Sequence, residues 1–491
     1  MRLIFLICLF LAVWGMTASA QTISMESFLE RVKSTHPFFK KETLAVDVER
    51  KTQESLQGDE DWVVSGSPSY VHTEPARAGG FTPESIDQMK VTVGLRRHYW
   101  STGSTLSFDF GHTYSDQKAE DIELPLPTGP LALPNDAGPF HENGLSVTYR
   151  HPLMRNRGGL LSRLAHDMQG FNVEAAKIVA VENQENFLLN IGGKFIDWAL
   201  LTEQRAIASA RLELAENESA RTQEKRKHNL VDEVDVIRAK DAVIAGRQNI
   251  RLIDSAIAGI DMELRTIASI ETGAKLAPEF DLYSPAQDIL PMGQSLKRLD
   301  GSSRLLSMFD IRLRQVESQK MGASEAEKPR LDAVLQGGVK GGAQEFGDAS
   351  QMDKPQAMAA LVFSYPLGST RARADIAKAA LQRERINEER NNTLFDLRGA
   401  LKNTLARINI LEQALALDRE RIKIAEEKTK AELKRYDQGR SELTFVIQSR
   451  DSEEAARLVH ARDSANYHRL ALVYRSLMDT LLPAPAVEAT P

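Results

Sequence analysis

Three hydrophobic patterns follow one another along the chain, and each predicts a different element. From residue 25 to 57, apolar positions at Phe28, Leu29 and Val32, then Leu44, Val46 and Val48, fit a helix broken at Pro37. A period of two then takes over. Val63 to Val71 is one strand candidate. Val91, Val93 and Leu95 share a face between Lys90 and Arg96, and Leu106, Phe108 and Phe110 oppose Thr105, Ser107 and Asp109. Leu145, Val147 and Tyr149 alternate with Ser146, Thr148 and Arg150 in another strand. Strands are therefore expected at about 62–72, 89–115 and 144–153. This is the weak signature of a membrane barrel, apolar toward lipid and polar toward a lumen, although the edge of a soluble β-sandwich alternates too. The turn 101–104 has Tyr99 and Trp100 beside it, as interface aromatics of a membrane hairpin would be placed. Residues 116–143, rich in Pro, Gly and Asp, read as an exposed loop.

The third pattern is very long and helical. No proline falls between Leu161 and Lys227, and an unbroken helix there would run about 100 Å. Residues 371–436 match it in length, with Leu394, Leu401, Ile408, Leu415 and Ile422 recurring every seven residues as in a coiled-coil seam. Each long helix meets a turn residue, Asn229 or Gly439, and a second helix returns through Leu264 or Leu477.

The turns and their flanks repeat. Asn229-Leu230-Val231 leads into Val236-Ile237-Arg238-Ala239-Lys240-Asp241, and Gly439-Arg440-Ser441 leads into Val446-Ile447-Gln448-Ser449-Arg450-Asp451. Tyr149-Arg150-His151-Pro152-Leu153 and Phe363-Ser364-Tyr365-Pro366-Leu367 close strand-like runs before each long helix. The chain is thus an internal duplication. Its first repeat spans 21–271 with a tip near 229. A linker or belt at 272–293 contains Pro278, Pro285 and Pro291. The second repeat spans 294–482, with a helix at 294–325, strands at about 331–341 and 356–367, and a tip near 439. Residues 483–491 read as a disordered tail.

Residues 1–20 read as a cleavable secretory signal: Arg2, an apolar run from Leu3 to Val13, and Ala18-Ser19-Ala20 before Gln21. The single cysteine, Cys8, lies inside it, so a mature chain has no thiol for a disulfide or metal. Removing the signal leaves 61 basic against 68 acidic residues, a net charge of −7. That balance points to no nucleic acid partner and no polybasic membrane contact. No later window is long and apolar enough for a transmembrane helix, so any entry into a bilayer must use strands.

Membrane strands must close without an edge, and four to six per chain are too few for a barrel, which starts at about eight. Several copies must therefore share one barrel. In this arrangement the chain resembles the TolC-type outer-membrane efflux and secretion channels across its whole mature length. The resemblance is carried by His36-Pro37, Lys328-Pro329-Arg330-Leu331, the strand exits Pro152-Leu153 and Pro366-Leu367, and Lys434-Arg435-Tyr436-Asp437-Gln438-Gly439 before the second tip. It implies an α+β, internally duplicated membrane protein: a homotrimeric β-barrel of four strands per protomer, or six, in the bacterial outer membrane among its lipids. The barrel would continue into a periplasmic α-helical barrel whose tips meet a periplasmic adaptor (a membrane fusion protein) coupled to an inner-membrane pump. The role would be a passive exit duct of a tripartite efflux or type I secretion system. Nothing in the sequence itself resembles a nucleophile, an acid/base pair or a cofactor cradle, so no enzymatic activity and no cofactor are expected. The hairpin at 90–114 is extra to the family pattern. It either adds two strands per copy or folds into the extracellular loops, and the second is preferred because twelve helices match eighteen strands poorly.

By the same resemblance, acidic residues just past the tips form a periplasmic constriction. The matching positions here are Asp235 in the first repeat and Phe445 and Gln448 in the second, which suggests an apolar and amide gate flanked by a carboxylate ring. The bland alternative makes Phe445 core and Asp235 merely solvated. Asn229 and Gly439 suit chain reversal, with adaptor contact expected from neighbours Leu230, Val231, Arg440 and Ser441. His460 and His468 read as helix-surface residues rather than a metal site, and the glycine-rich run 337–342 as a flexible strand end rather than a phosphate loop. A periplasmic coiled-coil scaffold or adaptor without a pore is the competing reading. It would not require two hairpins, each with its own strand pair.

Overall fold

The computed structural model describes residues 21–76, 82–119, 122–126, 129–133, 138–271 and 276–482. The expected signal and tail lie outside them. In chain order the elements begin with β1 (Gln21–Ser24), α1 (Met25–Thr35), α2 (Pro37–Leu56), β2 (Val63–Thr73), β3 (Ser85–Tyr99) and β4 (Ser104–Lys118). The short pair β5 (Ile122–Leu126) and β6 (Gly129–Leu133), β7 (Gly138–Pro152), α3 (Leu160–Lys227), α4 (Glu233–Ile267) and β8 (Leu276–Glu279) follow. Then come α5 (Met292–Ser302), α6 (Arg304–Glu327), β9 (Arg330–Ala343), α7 (Phe346–Ala349), β10 (Lys354–Ser364), α8 (Thr370–Asp437) and α9 (Leu443–Leu477). Among the described residues no helix is long and apolar enough to cross a membrane.

The duplication is visible in the element lengths. The helices α3 and α8 have 68 residues each, and α4 and α9 have 35 each. The tips close the same way. Leu230 N–H donates to the Lys225 carbonyl (3.0 Å) and Asn229 N–H to the Arg226 carbonyl (2.9 Å); Arg440 and Gly439 repeat this on Arg435 (2.8 Å) and Tyr436 (3.0 Å). Such paired bonds satisfy helix-end carbonyls only when one residue takes the left-handed conformation. Asn229 (φ 54°) and Gly439 (φ 68°) do so.

Contacts divide the described chain into two units. The first contains residues up to 45, 178–307 and from 391 onward, and among its described residues it is helical apart from the short strands β1 and β8. Its cores are equivalent in the two repeats. Phe28 and Val32 of α1 pack with Ile191, Phe195, Trp198, Leu264 and Ala268, while Leu299 of α5 packs with Leu401, Leu405, Ile408, Tyr474 and Met478. The heptad leucines of α8 thus bury against α9 and α5. The linker is part of this unit: β8 pairs in parallel with β1, the Leu282 carbonyl meets His468 Nε2 at 3.1 Å, and Tyr283 stacks on His460 with ring centroids 4.9 Å apart. Both histidines are buried, so the expectation of surface residues is corrected. The linker covers them, and its lack of periodicity hid that from the sequence.

The second unit, residues 46–177 and 308–390, carries a six-stranded antiparallel sheet in the order β10-β9-β7-β4-β3-β2. The preferred placement of the 90–114 hairpin in the loops, with four strands per chain, is corrected by this sheet. The hairpin pairs on both flanks, Val63 to Thr73 against β3 and Thr105 to Gln117 against β7, and backbone groups so satisfied have no reason to leave the ladder. The expected loop 116–143 is likewise strand at both ends, through Lys118 and from Gly138. The glycine-rich run 337–342 lies within β9.

Candidate functional site

Strand register sorts the sheet into two faces. On one, Val91, Val93 and Leu95 of β3 lie across from His112, Phe110 and Phe108 of β4, which lie across from Asn143, Leu145 and Val147 of β7. Val339, Gly337 and Leu335 of β9 and Pro355, Ala357 and Ala359 of β10 continue this face. Its mid-section holds no charged residue. Val64, Met89, Val93, Phe108, Phe110, Leu145, Leu335 and Leu361 are large, apolar and exposed on it. Removing each from water is worth roughly 1.5–3 kcal/mol, so an isolated sheet cannot leave this face wet.

Aromatic side chains flank the band. Trp62, Tyr99, Tyr149 and Phe363 lie toward the end where β2 begins, with Arg97 over the Trp62 and Tyr99 rings at 5.8 and 5.2 Å. Tyr70, Tyr114, His112 and His141 lie toward the other end, with His112 and His141 stacked at 5.5 Å. An apolar belt between two aromatic girdles suits a lipid layer between two interfaces.

The opposite face is mostly polar. Ser65, Ser67 and Ser69 of β2 adjoin Gly94, Thr92 and Lys90 of β3, followed by Asp109, Gly111 and Thr113 of β4 and Ser146, Gly144 and Glu142 of β7. Gln336, Lys340, Lys354 and Gln356 complete it. Sequence alternation named several of these positions but did not single out their charges.

The extra hairpin is anchored at the end where α3 starts. The N–H of Trp100 donates to Glu60 Oε1 (2.6 Å), His98 Nε2 lies 2.7 Å from Ser162 Oγ, and Asn156 Nδ2 donates to the same hydroxyl (2.8 Å). The strand exits follow. Leu153 N–H extends the ladder to the Leu331 carbonyl (2.7 Å) beyond Pro152, and Ser369 N–H donates to the Pro366 carbonyl (3.3 Å) beside the fully exposed Leu367.

At the tips, Leu443, Val446 and Ser449 face the interior of the first unit with Ala239 and Tyr436. Phe445 and Gln448 lie beside this seam on α9 and are exposed, Phe445 by 51 %. Within one chain Phe445 is therefore not part of the core. Asp235 occupies the matching first turn of α4, half-buried, and accepts from Arg238 Nη1 at 3.3 Å. Leu230 is exposed at the first tip, and Arg440 at the second. Ser441 donates to Glu432 Oε2 (3.0 Å), and Val231's carbonyl accepts from Arg226 Nη1 (3.2 Å).

Two turns further on, α3 and α9 are joined by charges the sequence reading missed. Arg450 Nε donates to Glu218 Oε1 (3.3 Å) and Arg211 Nη2 to Asp451 Oδ1 (3.0 Å). Burial pushes the Glu218 carboxyl above the usual carboxylate range, against the pull of Arg211 and Arg450. A cavity of about 660 Å³ lies beside this group, lined by Arg211, Arg238, Asp241, Gln448, Asp451 and Glu454. Elsewhere in the first unit Glu182, Glu185 and Asp479 have metal-ligand spacing. Arg304 sits among them, 2.9 Å from Glu182 and 3.3 Å from Asp479 and paired with Glu185, so the group is an ion cluster.

Comparison with solved structures identifies this architecture. CusC superposes with a TM-score of 0.66 at 11% identity, covering 92% of this chain and 91% of that one. VceC, the outer membrane protein from Vibrio cholerae, gives 0.62 at 11% identity over 92% and 95%. The MtrE outer membrane channel of Neisseria gonorrhoeae, in its open state, gives 0.60 at 14% identity over 93% and 89%. The chain has the fold of a TolC-type outer-membrane channel. No protein-family model matches the sequence, and no curated protein does. At these identities the likeness establishes the fold, and function must be argued from the residues.

Proposed function

We propose that the protein is the outer-membrane exit duct of a tripartite efflux or type I secretion system, a passive conduit from periplasm to exterior. The observation that carries this is the sheet with one apolar and one polar face and two long outer edges. The strands β2 and β10 each have 11 residues and no outer neighbour among the described residues. Lipid leaves no open edge tolerable. With six strands β2 and β10 run in opposite directions, so β10 of one copy can pair antiparallel with β2 of the next. Three copies, the number the resemblance implies, close an eighteen-stranded barrel, wide enough for an aqueous channel.

The helical unit supports the same assembly. Beyond its buried seam, α8 exposes Ile410, Leu417 and Ile424 every seven residues, and α4 exposes Ile237 and Ile244 at the same spacing. These stripes fit helices of neighbouring copies. In this reading the tips at Asn229, Leu230, Val231 and Gly439, Arg440, Ser441 face the adaptor and its inner-membrane pump. Asp235, Phe445 and Gln448 ring the periplasmic constriction.

Cysteines at Ser65, Ser67 or Ser69, paired in turn with cysteines at Gln356, Met358 or Ala360, test the assembly. Disulfide-linked dimers and trimers in a heat-modifiable outer-membrane species are expected. A water-soluble monomer without inter-copy crosslinks overturns the reading.

A further inference from the structure

The polar face of the sheet is not evenly charged. The described strands place six cationic side chains on it, Lys90, Arg96, Arg150, Arg330, Lys340 and Lys354, against three anionic ones, Asp109, Glu142 and Asp332. Two of the carboxylates are matched locally, Asp332 with Arg330 at 2.8 Å and Glu142 with Lys340 at 3.1 Å. The net is +3 per copy, in a chain whose overall net charge is −6.

The cations fall at two levels. Arg96 and Arg150 lie toward the end where α3 begins. Lys340 and Lys354 are direct register partners on β9 and β10 toward the other end, and Lys90 lies one same-face row away. Like charges placed directly opposite each other weaken a sheet. Neither stability nor the membrane asks for them on this face, which makes their placement informative. The Lys340 stem lies across the neighbouring strand beside Gly144. Its ammonium reaches Glu142 Oε1 of β7 on the same polar face, at 3.1 Å.

We infer that the lumen wall of the barrel is a cationic passage selecting for anionic cargo, solutes bearing carboxylate, sulfonate or phosphate groups. The inference rests on the duct reading, which makes the polar face the lumen. Closure by three copies stacks the cations into rings, and such rings of Lys and Arg lower the barrier for anions in the confined space between low-dielectric walls.

Block of single channels by inorganic tripolyphosphate tests it, using the full-length protein in planar bilayers. Tripolyphosphate added on the barrel side is expected to block the wild type. The Lys90→Gln/Lys340→Gln/Lys354→Gln variant should need at least a tenfold higher concentration, and Asp109→Asn a lower one than wild type. Equal blocking concentrations in channels of unchanged conductance overturn the inference, as does block from the helical side alone. Should the triple variant fail to assemble, an unchanged blocking concentration in Asp109→Asn overturns it by itself. A wild-type protein that forms no channel at all sinks the duct reading instead.

Discussion

Ser295 Oγ lies 3.0 Å from Tyr474 Oη in a buried position that the first repeat fills differently. There the equivalent residues are Phe28 on α1 and Leu264 on α4, both buried and packed in one apolar cluster. One repeat pairs a large residue on the short helix with a smaller one on the return helix. The other reverses the sizes and adds hydrogen bonds, since Leu290 N–H donates to Tyr474 Oη (3.1 Å) and Ser295 Oγ to the Leu290 carbonyl (3.0 Å). Two copies of one scaffold have kept the volume and exchanged who supplies it.

The exchange predicts strong coupling. Ser295→Phe alone overpacks the site, and Tyr474→Leu alone leaves a cavity and an unpaired Leu290 N–H, each costing about 1–3 kcal/mol. The double substitution restores the first repeat's packing and should cost less than the sum of the singles by about 1–2 kcal/mol. Chemical unfolding of the four proteins measures this, and strict additivity would remove the claim that the two sites are equivalent.

The long helices, their tips and the duplication were legible because their signals are local: seven-residue spacing in α8, and Asn229 and Gly439 at matched positions. The place of the β3–β4 hairpin was not. Whether a hairpin joins a sheet depends on its neighbours β2 and β7, and alternation within Val91 to Phe110 is the same in either case. The burial of His460 and His468 was hidden for a similar reason, since the covering segment around Leu282 and Tyr283 carries no pattern of its own. For the expected gate positions, spacing gave Phe445 and Gln448 but not their exposure on α9.

Those two histidines make the linker sensitive to acid. Burial holds the His460 and His468 rings below their ordinary value of 6.5, outweighing Asp418 and Asp463 near the first and the Leu282 carbonyl and Asp281 near the second. Arg419 and Arg475 push in the same direction as burial. A depressed histidine pKa means the folded state prefers the neutral ring. Stability is then complete above about pH 6.5 and falls as pH drops from there through the lower folded values. Backbone hydrogen exchange at residues 281–284, corrected for intrinsic rates, should quicken between pH 7 and 5. A His460→Phe/His468→Gln variant should show a flatter response. Protection independent of pH in the wild type would contradict the assignment.

Gly159 holds the extra hairpin to the start of α3. Its φ is +70°, and a Cβ there would stand 1.5 Å from the Trp100 carbonyl oxygen, which is backbone and cannot rotate away. Gly159→Ala must displace the turn at 100–103 and the bonds from Trp100 to Glu60 and His98 to Ser162 with it. A loss of at least about 2 kcal/mol follows from strain and broken contacts together. Yield of heat-modifiable oligomer should drop for Gly159→Ala while Gly193→Ala, where nothing lies within 4 Å of the added atom, leaves it unchanged. Equal yields would show that the hairpin turn is not anchored there.

Phe445 and Asp235 occupy equivalent first-turn positions of α9 and α4, one an exposed ring and the other a carboxylate held by Arg238. If both line the periplasmic constriction, the narrowest point alternates apolar and charged positions around the pore. Water leaves a constriction lined by rings more readily than one lined by carboxylates, so Phe445 favours closure by dewetting. Phe445→Asp should raise the frequency of open events and shift the reversal potential toward cation preference. Asp235→Asn should shift it the other way with a smaller effect on opening. Because Phe445 is exposed at the edge of the buried Val446 and Ser449 seam on α9, neither substitution removes a buried contact within the chain, and thermal stability should stay within about 0.5 kcal/mol of wild type. Unchanged gating and ion preference in Phe445→Asp would move the constriction elsewhere, with the Arg211, Glu218, Arg450 and Asp451 group next along the same helices.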